Sequence, residues 1–386
     1  MPISYPYTQY TGIWKLNAAS AAQGAGTWPT PPQPHLFSWG NNGQGALGLG
    51  NTTYYSSPKQ VGSLTTWSKI SSTSQHTIAI KTDGTLWGWG KNTSGQLGLG
   101  NTTNYSSPKQ VGALTSWLTV ACGYKHTLAI KTDGTLWAWG SGSYGGLGLN
   151  NTTNYSSPKQ VGALTNWLNV VAGAYNGVAI KTDGTIWSWG YNNRGMLGYG
   201  NLNYYSSPVQ IGTSTNWLSI TNSRAINGHT LALKSDGTLW SCGYNAYGGL
   251  GLSNVTNYSS LRQVGALTTW LKIAAGYYFT VARKTDSTLW SWGYNPYGQL
   301  GLGNTTNYSS PTQVGSLTNW DYPSCGAYHS ISTKTDGTLW TWGYNTDGQL
   351  GLGNTTRYSS PKQLGSLNTW SLAFGANGSS FGIAKT

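Results

Sequence analysis

The chain has 386 residues, with 55 Gly, 21 Trp and 26 Tyr, and only 8% of it is charged, against roughly 25% in an ordinary soluble domain. Abundant Trp, Tyr, Thr and Gly with few strong helix formers argue against a helical protein and for an all-β one rich in turns. The net charge of +13 is expected to be a spread surface charge rather than one patch for a polyanion, because most lysines fall at two repeat positions and form rings. One ring is Lys59, Lys109, Lys159 and Lys362, and the other is Lys81, Lys131, Lys181, Lys234, Lys284, Lys334 and Lys385; such a ring could still meet a ring-shaped or extended anion. No apolar run approaches the roughly 20 residues of a membrane span, so no membrane insertion is expected. Cys122, Cys242 and Cys325 are too few and too scattered for a disulfide framework.

In chain order, residues 1–34 stand outside any pattern. Their start, MPISYPYTQY, lacks the basic and apolar stretches of a secretory signal, so synthesis in a cytoplasm is expected. Gly, Ala and Pro dominate the segment, as in a disordered leader. Yet Trp14, Leu16 and Trp28 are large apolar groups for a free tail. They are the candidate attachment residues.

From residue 35 the chain is self-similar. Trp-Gly recurs at Trp39, Trp89, Trp139, Trp189, Trp292 and Trp342, with Cys242 replacing the Trp of the fifth copy. The spacings are 50, 50, 50, 53, 50 and 50, and the three extra residues fall in a turn between Thr221 and Gly228. The third copy shows the pattern. PKQVGAL from Pro158 predicts a short strand, WLNVVAG a second ending at Gly173, and GVAIKT a third. Asp183-Gly184 is a hairpin signal, and TIWSWG is the fourth strand before a long loop. Four short strands per copy, repeated seven times, predict a seven-bladed β-propeller of four-stranded antiparallel blades.

The last copy stops at FGIAKT, without the Asp-Gly turn and Trp-Gly strand that follow elsewhere. The missing strand is HLFSWG, residues 35–40. Strand 35–40 is therefore expected to pair with the C-terminal strand 380–386 and close the ring, giving one domain from 35 to 386. The interrupted blade is expected to take one strand from the N-terminal side and three from the C-terminal side. Closure of this kind removes open sheet edges.

The succession GQLGLGNTTNYSSPKQVGAL and GYKHTLAIKTDGTLWAWG resembles the regulator of chromosome condensation repeat family, from about residue 35 to the end. The resemblance implies a seven-bladed propeller but not one activity. Its members include a nucleotide exchange factor on chromatin, inhibitory proteins and recognition modules. Where the exchange factor often has an acidic residue after Leu-Gly-x-Gly, this chain has Asn51, Asn101, Asn151, Asn201, Asn304 and Asn354. No long inserted loop is present to act as a wedge. In residues 1–34, GIWKLN…GAGTWP is similar to a short module of tailed-bacteriophage structural proteins.

Catalytic chemistry is sparse. His76, His126, His229 and His329 share one repeat position, which Asn176, Phe279 and Ser380 occupy in other copies. A position that accepts Phe suits a structural hydrogen bond better than a metal. Six of the eight Asp, at 83, 133, 183, 236, 286 and 336, are hairpin residues. Only Asp321 and Asp347 remain for acid–base work, and they do not recur. No phosphate loop is present, and no cofactor, metal or enzymatic activity is expected. The residues most suited to binding are loop aromatics: Tyr144, Tyr191, Tyr244, Tyr247, Tyr294, Tyr297 and Tyr344. Asn192, Asn295, Asn345, Arg194 and Arg224 accompany them.

The expected function is therefore a non-enzymatic structural or adaptor protein of a tailed-bacteriophage virion, in tail, fibre or capsid. It would join other virion proteins through its N-terminal segment and meet a host-surface glycan or protein. A free inhibitor-like or lectin-like binding module is the alternative. A chromatin-type or GTPase exchange protein is the least supported, and nucleic-acid binding is not expected.

Overall fold

In the copy that begins at Trp67, the strand HTIAIK is buried along its whole length, so both of its faces need cover that one sheet cannot give. The computed structural model, which describes residues 33–386, supplies that cover by setting seven four-stranded antiparallel sheets face to face in a ring. One blade runs from inner to outer strand as Trp67–Ser72, His76–Lys81, Leu86–Gly90 and Tyr105–Gln110. The other blades repeat this order, and their seven inner strands line a central channel. Trp14, Leu16 and Trp28 lie outside the described residues.

The termini close the ring. Pro34–Gly40 pairs antiparallel with Ser379–Lys385 over its full length, from Pro34 opposite Lys385 to Gly40 opposite Ser379. The expected division of that blade needs correction. It takes two strands from each end, in the order Tyr55–Gln60, Pro34–Gly40, Ser379–Lys385 and Trp370–Gly375. The Ser-Pro segment pairs with the Trp-Gly strand before it, not with the strand after it, because the long loop folds back along that edge. Two smaller alignments shift with it. Ser379, not Ser380, stands where other copies have His, since the last strand holds one residue more than its counterparts. For the same reason Trp370 faces Ala384, and Lys385 is exposed rather than part of the inner lysine ring.

Antiparallel pairing sorts the connections onto two faces. His76 opposes Gly90, so the turns entering second strands and the long loops leaving third strands share one face. The Asp-Gly hairpins and the links between blades share the other. In the hairpins Asp83 Oδ1 accepts from the Thr85 amide at 2.9 Å and from its hydroxyl at 2.7 Å. Gly84 adopts φ +77°, and a Cβ there would lie 2.0 Å from the Thr115 carbonyl oxygen.

Adjacent blades are joined at a repeated node. Trp139 Nε1 donates to the Gln96 carbonyl of the preceding blade at 2.9 Å, and Thr127 Oγ1 donates to the same carbonyl at 2.8 Å. His76 Nε2, from that preceding blade, lies 3.1 Å from Thr127 Oγ1. With the Thr127 proton given to Gln96, the hydroxyl accepts from the imidazole. His229 meets Thr280 at 3.0 Å and His329 meets Ser380 at 2.8 Å in the same way. The node also spans the closure, where Trp39 Nε1 and Ser380 Oγ donate to the Gln349 carbonyl at 3.0 and 2.8 Å. In the fifth blade Cys242 replaces the indole, and its Sγ stands 3.6 Å from the Met196 carbonyl.

Tryptophans also fill the blades themselves. Trp67 packs edge-to-face on Trp87 and Trp89, with centroids 6.2 and 5.7 Å away. Lys81 Nζ lies 3.6 Å from the Trp87 ring centre. The inner lysine ring is thus a set of buried cations on indole faces. Burial lowers the basicity of Lys81, Lys131, Lys181, Lys284 and Lys334, and the neighbouring hairpin aspartates oppose that shift.

Two outcomes follow from this packing. Trp39→Ala removes a fully buried indole and the closing hydrogen bond, and should cost about 3–5 kcal/mol in urea denaturation; a loss below ~1 kcal/mol would contradict its role at the closure. Burial also holds His76 and His329 down at about 3, and His126 and His229 at about 4. The unfolded chain therefore takes up protons first as pH falls below ~6.5. Stability should be full above that pH and fall toward pH ~4 by about 1.4 kcal/mol per pH unit for each histidine. Replacing all four with Asn, which stands at this position as Asn176, should flatten the slope measured by urea midpoints. If the quadruple variant does not fold, His126→Asn alone should remove about a quarter of the slope. An unchanged slope would exclude the histidines as its source.

Candidate functional site

The turns entering second strands and the long loops place most of the candidate tyrosines on one face. Tyr144, Tyr191, Tyr244, Tyr247, Tyr294, Tyr297 and Tyr344 all lie there, joined by tyrosines of the short turns. One arc runs over the third and fourth blades, from Tyr124 through Tyr175 and Tyr144 to Tyr191 and Tyr204, with neighbouring centroids 5.0 to 5.8 Å apart. A second arc crosses the fifth to seventh blades. It passes from Tyr244 by Tyr278, Tyr247 and Tyr294 to Tyr297, Tyr328 and Tyr344. The tightest pairs are Tyr247 with Tyr294 at 4.5 Å and Tyr297 with Tyr344 at 4.8 Å.

Cations flank these arcs. Arg194 stands at the junction of the two, its guanidinium 5.9 Å from the Tyr244 ring centre. Arg357 lies over Tyr297 and Tyr344 at 4.9 and 4.7 Å. Lys125 sits 5.6 Å from Tyr124. The acid on this face is Asp347, whose Oδ2 accepts from Asn41 Nδ2 at 3.1 Å. Burial, helped by neighbouring phenols, raises the pKa values of Tyr175, Tyr204, Tyr278, Tyr294 and Tyr328. Tyr277 is pushed up to about 12, again by burial. These phenols stay protonated at neutral pH and can donate hydrogen bonds. The face is aromatic, donor-rich and basic.

The asparagines expected beside these tyrosines do not belong to the surface. Asn192, Asn295 and Asn345 are fully buried. Their Oδ1 atoms accept from Leu197, Leu300 and Leu350 amides at 2.9 Å, and their Nδ2 atoms donate within the same loop. They shape the loop that presents the tyrosine. Tyr191 is itself 9% exposed and supports the arc more than it displays itself, whereas Tyr144 is 47% exposed. Arg224 is not on the tyrosine surface either. It turns into the channel and donates to the Gly375 carbonyl at 3.2 Å.

Tyr204, Arg357 and the short-turn tyrosines were not among the sequence candidates. The signal was a break in the repeat. Where Tyr204 and Arg357 stand, the first copy has Tyr54 and the other four have Asn104, Asn154, Asn257 and Asn307. Those amides each accept from a backbone N–H twelve residues earlier, at 2.7 to 3.0 Å. Tyr204 and Arg357 give up that internal bond and reach the aromatic arcs, whereas Tyr54 accepts from Asn41 Nδ2 at 3.0 Å.

The opposite face differs in chemistry. It carries the hairpin aspartates and a ring of exposed leucines in the links between blades: Leu64, Leu114, Leu164, Leu267 and Leu317. Ser214 interrupts that ring in the fifth blade. Among the described residues no three His, Cys or Asp come together as metal ligands, and no helix is long and apolar enough to cross a membrane.

The regulator of chromosome condensation (RCC1) repeat matches seven successive segments, 35–80, 83–130, 133–180, 183–233, 236–283, 286–332 and 336–381. A second description of the same repeat matches 67–96, 118–145, 167–195 and 270–299. No curated protein matches the chain significantly. Among solved structures, human WBSCR16 is similar with a TM-score of 0.81 and 21% identity, over 92% of this chain and 99% of that one. Prp20p of Saccharomyces cerevisiae, described with its binding to Gsp1p and histones, is similar at TM-score 0.80 and 19% identity, over 91% of this chain and 92% of that one. Yeast RCC1 (Prp20) bound to Kap60 matches at TM-score 0.81 and 18% identity, over 100% and 97%. These likenesses carry the fold, and the seven matched segments carry more: the chain belongs to the regulator of chromosome condensation repeat family.

Proposed function

We propose that this chain is a non-enzymatic display or adaptor protein of a tailed-bacteriophage virion, tethered through its N-terminal segment and presenting the tyrosine face outward. One observation carries the reading. The chain joins the propeller at Pro34, opposite Lys385, at the hairpin end of the closing strands. The tyrosine arcs lie at the other end of the blades. The point where the chain enters the ring and the aromatic, basic face are thus at opposite ends of the blades. The likeness of GIWKLN…GAGTWP to a phage structural module supplies the setting, and the sparse acid–base chemistry favours binding over catalysis.

The tyrosine face also favours a second reading, a free lectin-like or inhibitor-like module, because stacked phenols beside arginine suit glycan and protein contacts. An exchange or chromatin role is the least favoured. The yeast relatives described with Gsp1p, histones and Kap60 are 19% and 18% identical, and steeply salt-dependent DNA binding would be needed to support it.

A protein comprising residues 34–386 should fold with the thermal stability of the full chain and be missing from purified particles; its normal incorporation would overturn the tether. Separately, Tyr247→Ala with Tyr297→Ala should weaken binding to host-surface material or to a glycan array by about tenfold or more. Unchanged binding would move recognition off this face.

A further inference from the structure

The three-residue insertion of the fifth blade places an arginine where no other blade has one. Arg224 extends from the turn after Trp217–Asn222 and reaches Gly375 of the closing blade, 151 residues away. It thus stands across the channel end nearest the tyrosine face. Burial lowers its basicity, and the groups that act on it are Cys122, Tyr277 and Cys325, none of them a carboxylate. The two thiols are themselves pushed up by burial, Cys122 to about 12, so they supply no counter-charge at neutral pH. Among the described residues the one ion pair is Arg283 with Asp321, at 3.4 Å. Arg224 therefore holds a half-buried cation with no anion beside it.

A second, independent feature lies next to it. Asn222 ends the same inner strand and lines the channel. It is 6% exposed, and neither Oδ1 nor Nδ2 has a hydrogen-bond partner. Other blades place Ser72, Cys122, Ala172, Ala275, Cys325 or Gly375 at this position. A buried amide with both ends unmatched costs free energy unless something in the cavity completes it. The walls agree in sign. Lys69 and Lys272 line the channel, with Lys272 Nζ 5.3 Å from the Tyr322 ring, and no carboxylate lines it. The rest of the wall offers hydroxyl and amide groups, including Thr119, Asn169 and Ser219. The cavity volume is about 490 Å³, within the range of ~300–1,000 Å³ typical of small-molecule sites.

We propose that the central channel binds a polyhydroxylated anion, an acidic sugar, whose carboxylate or phosphate is held by Arg224 and Asn222 at its inner end. Lys69 and Lys272 attract the anion, and the hydroxyl and amide groups of the wall meet its hydroxyls. Arg224 leaves the hairpin-face end as the entrance, where exposed Leu118, Leu168 and Leu218 stand. This site is separate from the tyrosine arcs and does not depend on the virion reading.

Calorimetric titration of the full chain with glucuronate, with glucose 6-phosphate and with neutral glucose tests the proposal. One or both acids should bind, glucose should not, and added salt should weaken the binding. Which acid binds more tightly separates a carboxylate head group from a phosphate. Arg224→Gln should abolish binding or weaken it at least tenfold while the thermal transition shows a folded ring. If that variant does not fold, Lys69→Gln with Lys272→Gln, both exposed on the wall, should weaken binding severalfold. No binding of either acid at 10 mM, equal binding of glucose, or undiminished binding by these variants would overturn the proposal.

Discussion

The Gln96 carbonyl takes two hydrogen bonds from the next blade, one from the Trp139 indole and one from the Thr127 hydroxyl. That junction, repeated around the ring, is what the rest of the structure depends on. A four-stranded sheet with a fully buried second strand must be covered on both faces. Apolar stacking supplies the driving force, but it does not by itself fix how far one blade turns against the next. The buried carbonyl does, because its two donors come from two different strands of the neighbouring sheet and have no other partner there. The histidine adds a third link by giving its proton to the hydroxyl. Burial keeps that imidazole neutral, which ties the rigidity of the ring to pH.

The same node explains why the termini meet as they do. Trp39 and Ser380 come from opposite ends of the chain, yet both donate to Gln349. Closure is therefore an ordinary blade-to-blade contact made with strands from two ends. It puts residue 34 on the hairpin face, with aspartates and exposed leucines, and leaves the tyrosines and arginines on the other. A nearly uniform repeat has produced a two-sided object. Its individuality lies in the departures from the repeat: the tyrosine-bearing loops, Arg357, and the insertion that carries Arg224.

Much of this was legible in the sequence, for identifiable reasons. The Trp-Gly period counts the blades because six copies supply an indole donor to the blade before, and Cys242 keeps the same place in the fifth. The strand lost after FGIAKT and found at residue 35 revealed the closure because a propeller has no place for an unpaired edge. The division of that blade was misread, because linear order does not say whether Tyr55–Gln60 pairs backward or forward. Ser380 and Lys385 were misplaced by one residue, since counting back from Lys-Thr cannot detect an extra residue within a strand. Asn192 and Tyr191 are neighbours of similar composition value, yet one folds the loop and the other joins an arc. Only the three-dimensional path of the loop separates them. Arg224 was visible as an exception, but its reach to Gly375 spans blades that no sequence distance relates.

A closed ring requires the closing strands, where the chain enters the propeller, to be held as firmly as any interior pair. Hydrogen exchange of the full chain measures this directly, since amides that open only with global unfolding are protected to the same limit. Amides of residues 35–40 and of Ser379–Lys385 should exchange as slowly as those of Leu86–Gly90 and His126–Lys131. Exchange at the closing pair that is orders of magnitude faster, with the other blades still protected, would contradict the closed ring.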